Sequence, residues 1–238
     1  MLLNGVRQCG KTYVLKEFGR REFDSLAYVS CDRNVNLQAI YSGDFDVARI
    51  IQGLSALTGV DIIPDKTLIF LDEVQAFPQA LEALKYFCED APEYHIAVAG
   101  SLLGVALHAG VSFPVGKVQT LRLFPMDFEE FLMAMGEEQL LKLMHSHDYE
   151  LMNAFHEKLK DLLRQYYYVG GMPEVVKAFV ENKLLNQVRS LQNEILSNYA
   201  SDFSKHAPSQ EVPRIDMVWQ SILGQLSKEN KKFVYGVL

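Results

Sequence analysis

A glycine-rich segment close to the start of the chain has the residue types and the spacing of a phosphate-binding loop. Gly5 to Thr12 reads GVRQCGKT, which is Gly, four residues, then Gly-Lys-Thr. The two glycines let the backbone curl so that successive N–H groups point at phosphate oxygens. Lys11 can reach the β- and γ-phosphates, and the Thr12 hydroxyl can ligate Mg²⁺. The sequence therefore predicts a nucleotide bound by Gly5, Val6, Arg7, Gln8, Cys9, Gly10, Lys11, Thr12 and Tyr13.

Two adjacent acids follow an apolar run in the segment TLIFLDEVQ, residues 67–75. The run predicts a buried strand, and open α/β sheets bind ligands at the carboxyl ends of their strands. We expect Asp72 to hold Mg²⁺ through water and Glu73 to polarise a water molecule for attack on the γ-phosphate. With Lys11, these acids predict Mg²⁺-dependent hydrolysis of ATP. Guanine recognition is disfavoured, because the stretch Asn230–Phe233 lacks the aspartate that such sites use.

Three further polar residues are candidates for contact with the transferred phosphoryl group. Ser101 follows the apolar run Ile96–Ala99, and its hydroxyl can bond the γ-phosphate or cap the next helix. We include it among the catalytic candidates, with both interpretations open. Lys117 and Arg122 can stabilise phosphoryl charge in their own or a neighbouring subunit, or be ordinary surface charges.

The first half of the chain alternates short apolar runs with helical patterns, which favours a parallel α/β sheet. The predicted strands are Met1–Leu3, Leu26–Cys31, Leu68–Leu71, Ile96–Ala99 and Gln119–Leu123. Between them we predict helices over Lys11–Phe18 and Pro78–Glu89. After Pro125 we predict helices from Asp127 and over Tyr149–Val169, Pro173–Phe179, Leu185–Phe203 and Pro213–Leu226, then a strand over Lys231–Leu238. These patterns predict domains over residues 1–125, 126–207 and 208–238.

Composition excludes several classes of protein. The 238 residues carry a net charge of −7, which lacks the basic footprint of a stand-alone nucleic-acid binder. The three cysteines are far apart and odd in number, so we expect neither a disulfide framework nor a cysteine metal site. This use of cysteine favours a reduced, cytoplasmic location. Residues 96–116 carry no charged side chain, but their glycines, Ser101, His108 and Pro114 argue against a membrane span.

Several motifs occur in an order that points to a known family. The segments are GVRQCGKT, FLDEVQ, YHIAVAGSLLG, FPMDFEEF and YVGGMPE, followed by DFSK and VPRI. Together they resemble AAA+-type ATP-binding proteins of bacteria and archaea, in the branch related to STAND signalling ATPases. The resemblance covers essentially the whole chain.

The resemblance implies a P-loop NTPase fold, with a five-stranded parallel sheet in the order 5-1-4-3-2 and a helical lid. It implies that Gly171–Pro173 is the family's Gly-x-Pro element, with Pro173 near adenine. Residues 212–238 would then begin a winged helix, ahead of a nuclease-like domain of unknown function. We expect a chain truncated at both ends. Family members often have Gly-Arg at Gly116–Lys117, and lysine lacks the planar fork of arginine.

The cofactors expected are ATP and Mg²⁺, and the function expected is a nucleotide-driven ATPase switch that turns over slowly. Three alternative functions stay open: a nucleotide-gated interaction module without significant hydrolysis, the ATPase part of a DNA-acting protein, and a small-molecule kinase. ATP and ADP are the expected ligands, and an unidentified protein or further copies of the same chain stay open as partners. Nucleic acid and membrane are not expected partners of this segment.

Overall fold

A computed structural model describes residues 1–32, 34–100, 116–207 and 210–227 of the chain. The chain divides into two units, Met1–Met126 and Asp127–Leu238. The first unit contains the sheet, and the described part of the second is helical. In the described ranges, no helix is both long and apolar enough to cross a membrane.

The sheet of the first unit has five parallel strands in the order β2-β3-β4-β1-β5. This is the expected order 5-1-4-3-2 read from the other edge, so the prediction is confirmed. The strands are β1 Leu2–Gly5, β2 Ser25–Ser30, β3 Thr67–Asp72, β4 His95–Gly100 and β5 Thr120–Leu123. Because parallel strands end at one edge, the ends of β1 and β3 place Gly5 and Asp72 at the same side of the sheet.

Helices cover both faces of the sheet, and this explains why β3 is buried along its whole length. On one face, Ile69, Leu71 and Val98 belong to a core shared with helices. On the other face, Phe70 of the sheet belongs to a core with Leu15 of the first helix. The helices of this unit are α1 Lys11–Glu22, α2 Asn36–Ile40, α3 Val47–Thr58 and α4 Gln79–Asp90, with a 3₁₀ turn at Val74–Ala76.

The second unit contains seven helices among its described residues. They are α5 Phe128–Ala134, α6 Glu138–Ser146, α7 Tyr149–Ala154, α8 His156–Val169, α9 Pro173–Asn182, α10 Leu185–His206 and α11 Val212–Leu226. Leu132, Leu140 and Leu162 form a buried cluster that joins α5, α6 and α8. The strand predicted over 231–238 lies outside the described residues, and the lid and winged-helix assignments stay predictions.

The single long helix predicted over Tyr149–Val169 is wrong, because the chain forms two helices there. Asp148 caps the first helix by accepting a hydrogen bond from the Leu151 N–H at 3.0 Å. That helix ends at Ala154, and the N–H of the next residue, Phe155, donates to the Met152 carbonyl at 3.0 Å in a tighter three-residue turn. The apolar periodicity continues across the break, so the pattern alone does not reveal it.

Candidate functional site

The loop between β1 and α1 has the backbone geometry of an anion-binding turn. Gln8 has φ 61° and Gly10 has φ 95°, so the chain enters the left-handed region twice before α1 begins. Such turns direct successive N–H groups into one concavity. No described side chain caps the start of α1, which leaves the N–H groups of its first turn directed at the same place.

Close packing against the edge strand β5 fixes the first glycine of this loop. An ideal Cβ at Gly5 would lie 2.4 Å from the Leu123 carbonyl oxygen and 3.0 Å from the Cys9 sulfur. The Cys9 thiol lies 3.8 Å from the same carbonyl and is 3% exposed. Its side chain therefore packs beneath the loop against β5.

The Lys11 side chain folds back over the loop. Its ammonium donates to the Gly5 carbonyl at 2.9 Å and to the Val6 carbonyl at 2.7 Å, and the residue is 7% exposed. A buried ammonium requires such partners. Phosphate oxygens can replace these carbonyls as acceptors, with a stronger charge-assisted hydrogen bond.

A direct hydrogen bond joins the loop to the acidic strand end. The Thr12 hydroxyl donates to Asp72 Oδ2 at 2.8 Å, and the Glu73 N–H donates to Asp72 Oδ1 at 3.0 Å. The Asp72 carboxylate is thus held at both oxygens within the buried end of β3. The structure brings together the two clusters that the sequence predicts to share a nucleotide.

These two side chains fit Mg²⁺ that is delivered with a nucleotide. Mg²⁺ uses one or two protein oxygens, keeps several waters and takes its remaining ligands from substrate phosphates. A hydroxyl and a carboxylate in contact, at the end of a strand beside a phosphate loop, supply that donor set. In the described ranges, no group of three histidine, cysteine or acidic side chains converges as a metal cage.

Glu73 adopts an unusual backbone conformation and has a side-chain partner that sequence reasoning missed. Its φ is 52°, in the left-handed region where only glycine is unstrained. The side-chain amide nitrogen of Gln75 donates to the Glu73 carboxylate. The amide oxygen of the same side chain, Oε1, is buried without a partner among the described residues. Glu73 is half-buried, and the contact with Gln75 leaves its carboxylate further capacity to accept hydrogen bonds.

Two residues of the β2 strand and the loop after it also approach the acids, and neither was a candidate from sequence. The Tyr28 hydroxyl lies 3.3 Å from Asp72 Oδ2. Cys31 donates its N–H to the Asp72 carbonyl at 2.8 Å, and burial, then Asp72 and Glu73, raise the pKa of its thiol to about 12. Since β2 pairs with β3 in the sheet, residues near the carboxyl end of β2 lie beside the acids at the end of β3.

Four candidates from the sequence remain: Ser101, Pro173, Lys117 and Arg122. Ser101 lies outside the described residues. Pro173 occupies the first turn of α9 in the second unit, and its contact with a base stays a prediction. Lys117 pairs with Glu89 at 3.4 Å and lines a cavity of about 340 Å³ with Met1 and His95, at the edge where strands begin. It therefore lies away from the acids of its own sheet.

Arg122 lies near the other end of the sheet. It is beside Asn4 in the pairing of β5 with β1, one residue before the partner of Gly5. Its guanidinium lies 5.6 Å from the centre of the Phe124 ring. Of the two basic candidates, Arg122 is the one at the edge of the phosphate loop.

A family model described as an AAA domain matches residues 1–132, which is more than half of the chain. The chain belongs to this AAA domain family. The AAA domain has a nucleotide-binding function of the ATPase type, and its matched residues contain both the phosphate loop and the two acids. A second model, a domain of unknown function (DUF8612), matches residues 160–238.

Solved structures also resemble this AAA domain protein, and 99 of their chains match it. One is the ORC1 protein of Aeropyrum pernix in complex with DNA, at 18% sequence identity. The match covers 99% of this chain and 68% of that one, with a TM-score of 0.37. No curated protein matches the chain.

Proposed function

We propose that this AAA domain protein binds ATP with Mg²⁺ and hydrolyses the bond between its β- and γ-phosphates. The hydrogen bond from Thr12 to Asp72 carries the proposal, because it joins the start of the phosphate-loop helix to the acidic end of β3 at 2.8 Å. Those two groups are the ones that a nucleotide-bound Mg²⁺ has to contact in a site of this kind. A loop that bound only a phosphate anion would not need the buried carboxylate.

Each residue has a distinct task in this proposal. The N–H groups after Gln8 and Gly10 bind phosphate oxygens, and Lys11 turns from its carbonyl partners to the β- and γ-phosphates. Thr12 and Asp72 hold Mg²⁺, which when bound supplies charge stabilisation for the phosphoryl oxygens. Glu73 orients and polarises the attacking water.

Slow turnover is part of this proposal, as expected of a nucleotide-driven switch. The Gln75 amide nitrogen donates to one oxygen of the Glu73 carboxylate, Oε2. A carboxylate has two acceptor oxygens, so Glu73 can keep this partner while it orients the substrate water.

A switch also needs a segment whose backbone angles can change. Gly170 has φ 75° with no atom within 4 Å of an ideal Cβ, and Pro173 begins α9 two residues after Gly171. The two glycines can change their backbone angles at little cost, and the proline fixes where the next helix begins. We place the hinge of the switch at Gly170–Pro173.

Glu73→Gln tests the hydrolytic part of the proposal. Glutamine keeps the size of the side chain but cannot polarise water as a base, so phosphate release should fall on the order of 100-fold or more. ATP binding should be retained. Glu22→Gln, at the exposed end of α1, is the matched control and should leave phosphate release unchanged.

Equal phosphate release by the wild type and Glu73→Gln would remove hydrolysis from this site. If both proteins still bound ATP, the interaction module without hydrolysis would replace the ATPase proposal. Release that requires an added acceptor and transfers the labelled γ-phosphate to it would instead indicate a kinase.

A further inference from the structure

The Asp72 carboxylate has a second side-chain donor, which comes from the neighbouring strand. Tyr28 lies in β2, where it pairs with Phe70, and Ser30 pairs with Asp72 two residues later. The Tyr28 hydroxyl lies 3.3 Å from Asp72 Oδ2, the oxygen that also accepts the Thr12 hydroxyl. One carboxylate oxygen thus has a donor from the helix and a donor from the sheet.

The Tyr28 ring is fixed on two sides, so the position of its hydroxyl is determined. Its centre lies 5.3 Å from the centre of the Phe70 ring. The Lys16 ammonium lies 3.6 Å from the same centre and belongs to α1, one turn after Thr12. Tyr28 is half-buried between these neighbours. A ring held in this way presents its hydroxyl to Asp72 before any ligand arrives.

In the hydrogen bond between Tyr28 and Asp72, the tyrosine hydroxyl is the donor. An ordinary phenol loses its proton only at about pH 10, so the Tyr28 hydroxyl is protonated at neutral pH and donates to the carboxylate. Asp72 lies among groups that donate to it: the Glu73 N–H reaches Oδ1, and Thr12 and Tyr28 reach Oδ2. Each donor removes part of the freedom of the carboxylate to rotate. Ligands that are oriented in advance bind a cation with less loss of entropy.

We propose that Tyr28 is a positioning residue for Asp72 and sets the affinity of the site for Mg²⁺ in the nucleotide complex. Hydrogen bonds to metal-binding side chains from their outer partners change metal affinity by about 10- to 100-fold. The inference rests on the proposed function, since it requires Asp72 to face the metal. Tyr28 itself touches neither the nucleotide nor the reacting atoms.

Titration of the full chain with Mg²⁺ in the presence of a fluorescent ADP analogue tests the inference. Tyr28→Phe keeps the ring, and with it the packing against Phe70 and Lys16, but removes the donor. The Mg²⁺ concentration for half-maximal binding should rise about 10-fold. Affinity for the same analogue in EDTA should not change. The control is Tyr86→Phe. Tyr86 lies in α4 and its ring stacks on Phe45, so this variant should match the wild type.

A second readout separates positioning from a structural role. Mn²⁺ bound to the nucleotide complex gives an electron paramagnetic resonance signal, and Tyr28→Phe should require a correspondingly higher Mn²⁺ concentration to produce it. A melting temperature that falls together with analogue affinity in EDTA would make Tyr28 a packing residue and overturn the inference. Identical Mg²⁺ titrations of variant and wild type would overturn it as well.

Failure of the proposed function gives a different result. In that case the wild type binds the analogue equally well with Mg²⁺ and with EDTA, or not at all, and Asp72→Asn changes neither. That outcome would overturn both proposals. A wild type that needs Mg²⁺ and a Tyr28→Phe variant that needs no more of it would overturn the inference alone.

Discussion

Gly5 lies where a side chain has no room, because its ideal Cβ would approach the backbone of β5 to 2.4 Å. We therefore expect Gly5→Ala to push the phosphate loop away from Leu123. The free energy of unfolding should fall by about 1–3 kcal/mol, as for other overpacked sites. Nucleotide affinity should fall too, since the loop N–H groups move. Urea unfolding and nucleotide titration measure the two effects.

Gly224→Ala is the matched control for Gly5→Ala, and its expected effect on the free energy of unfolding has the opposite sign. Gly224 lies in α11 with no atom within 4 Å of an ideal Cβ. Gly224→Ala should raise the free energy of unfolding by about 1 kcal/mol, because alanine favours the helix. It should leave nucleotide binding unchanged. A Gly5→Ala variant as stable as the wild type would contradict the close approach to β5.

The three cysteines should differ sharply in reactivity toward a thiol reagent at pH 8. Cys9 and Cys31 are each 3% exposed, whereas Cys88 is exposed. The pKa of Cys31 is raised to about 12, so its thiol is neutral at pH 8 and becomes a thiolate only at much higher pH. One thiol should react quickly in the native protein and three after denaturation. Cys88→Ser should remove the fast phase, and any fast-reacting thiol that remained in that variant would contradict the burial of Cys9 and Cys31.

At the scale of elements, α5 begins with a reciprocal pair of hydrogen bonds. The Glu130 N–H donates to Asp127 Oδ1 at 2.9 Å, and the Asp127 N–H donates to Glu130 Oε2 at 2.9 Å. Asp127→Ala should lower the free energy of unfolding by about 1 kcal/mol in urea. Asp127→Asn, which retains a capping oxygen, should lose much less. Equal losses in the two variants would show that capping does not stabilise this helix.

The sequence predicts all five strands because each is a short apolar run followed by turn residues or a functional group. β3 is the clearest case: its run Leu68–Leu71 is buried on both faces, so no polar residue interrupts it. Two helices of the first unit were missed, α2 and α3. The start of α3 has a readable signal in Asp46, which accepts from the Ala48 N–H at 2.9 Å, and its end has one in Gly59.

The site was predictable only as far as motif spacing reaches. The loop Gly5–Thr12 and the acids at the end of β3 have fixed spacing, and the parallel sheet brings them together. Tyr28 and Gln75 have no such motif. Tyr28 approaches Asp72 through the register of β2 against β3, and Gln75 turns back onto Glu73 through a 3₁₀ turn. The Tyr28 contact depends on tertiary placement, and the Gln75 contact depends on a local turn that no spacing motif marks.

At the scale of the whole molecule, the first unit holds the proposed nucleotide site within its AAA domain. Ligand that binds the folded state raises stability in proportion to the logarithm of its concentration. We propose that a change of backbone angles at Gly170–Pro173, in the second unit, reports nucleotide state. The central claim concerns the first unit alone, where the phosphate loop and the two acids bind one Mg²⁺–ATP together.

Isothermal titration of the chain with ATP and Mg²⁺, beside Lys11→Ala, tests that claim most directly. The wild type should bind one ATP per chain, with affinity that falls when EDTA removes Mg²⁺. Lys11→Ala should bind on the order of 10- to 100-fold more weakly, because it loses a charge-assisted hydrogen bond to phosphate. Lys85→Ala, on the exposed side of α4, should bind as the wild type does. Identical heats from the wild type and Lys11→Ala, or no binding by either, would contradict the account.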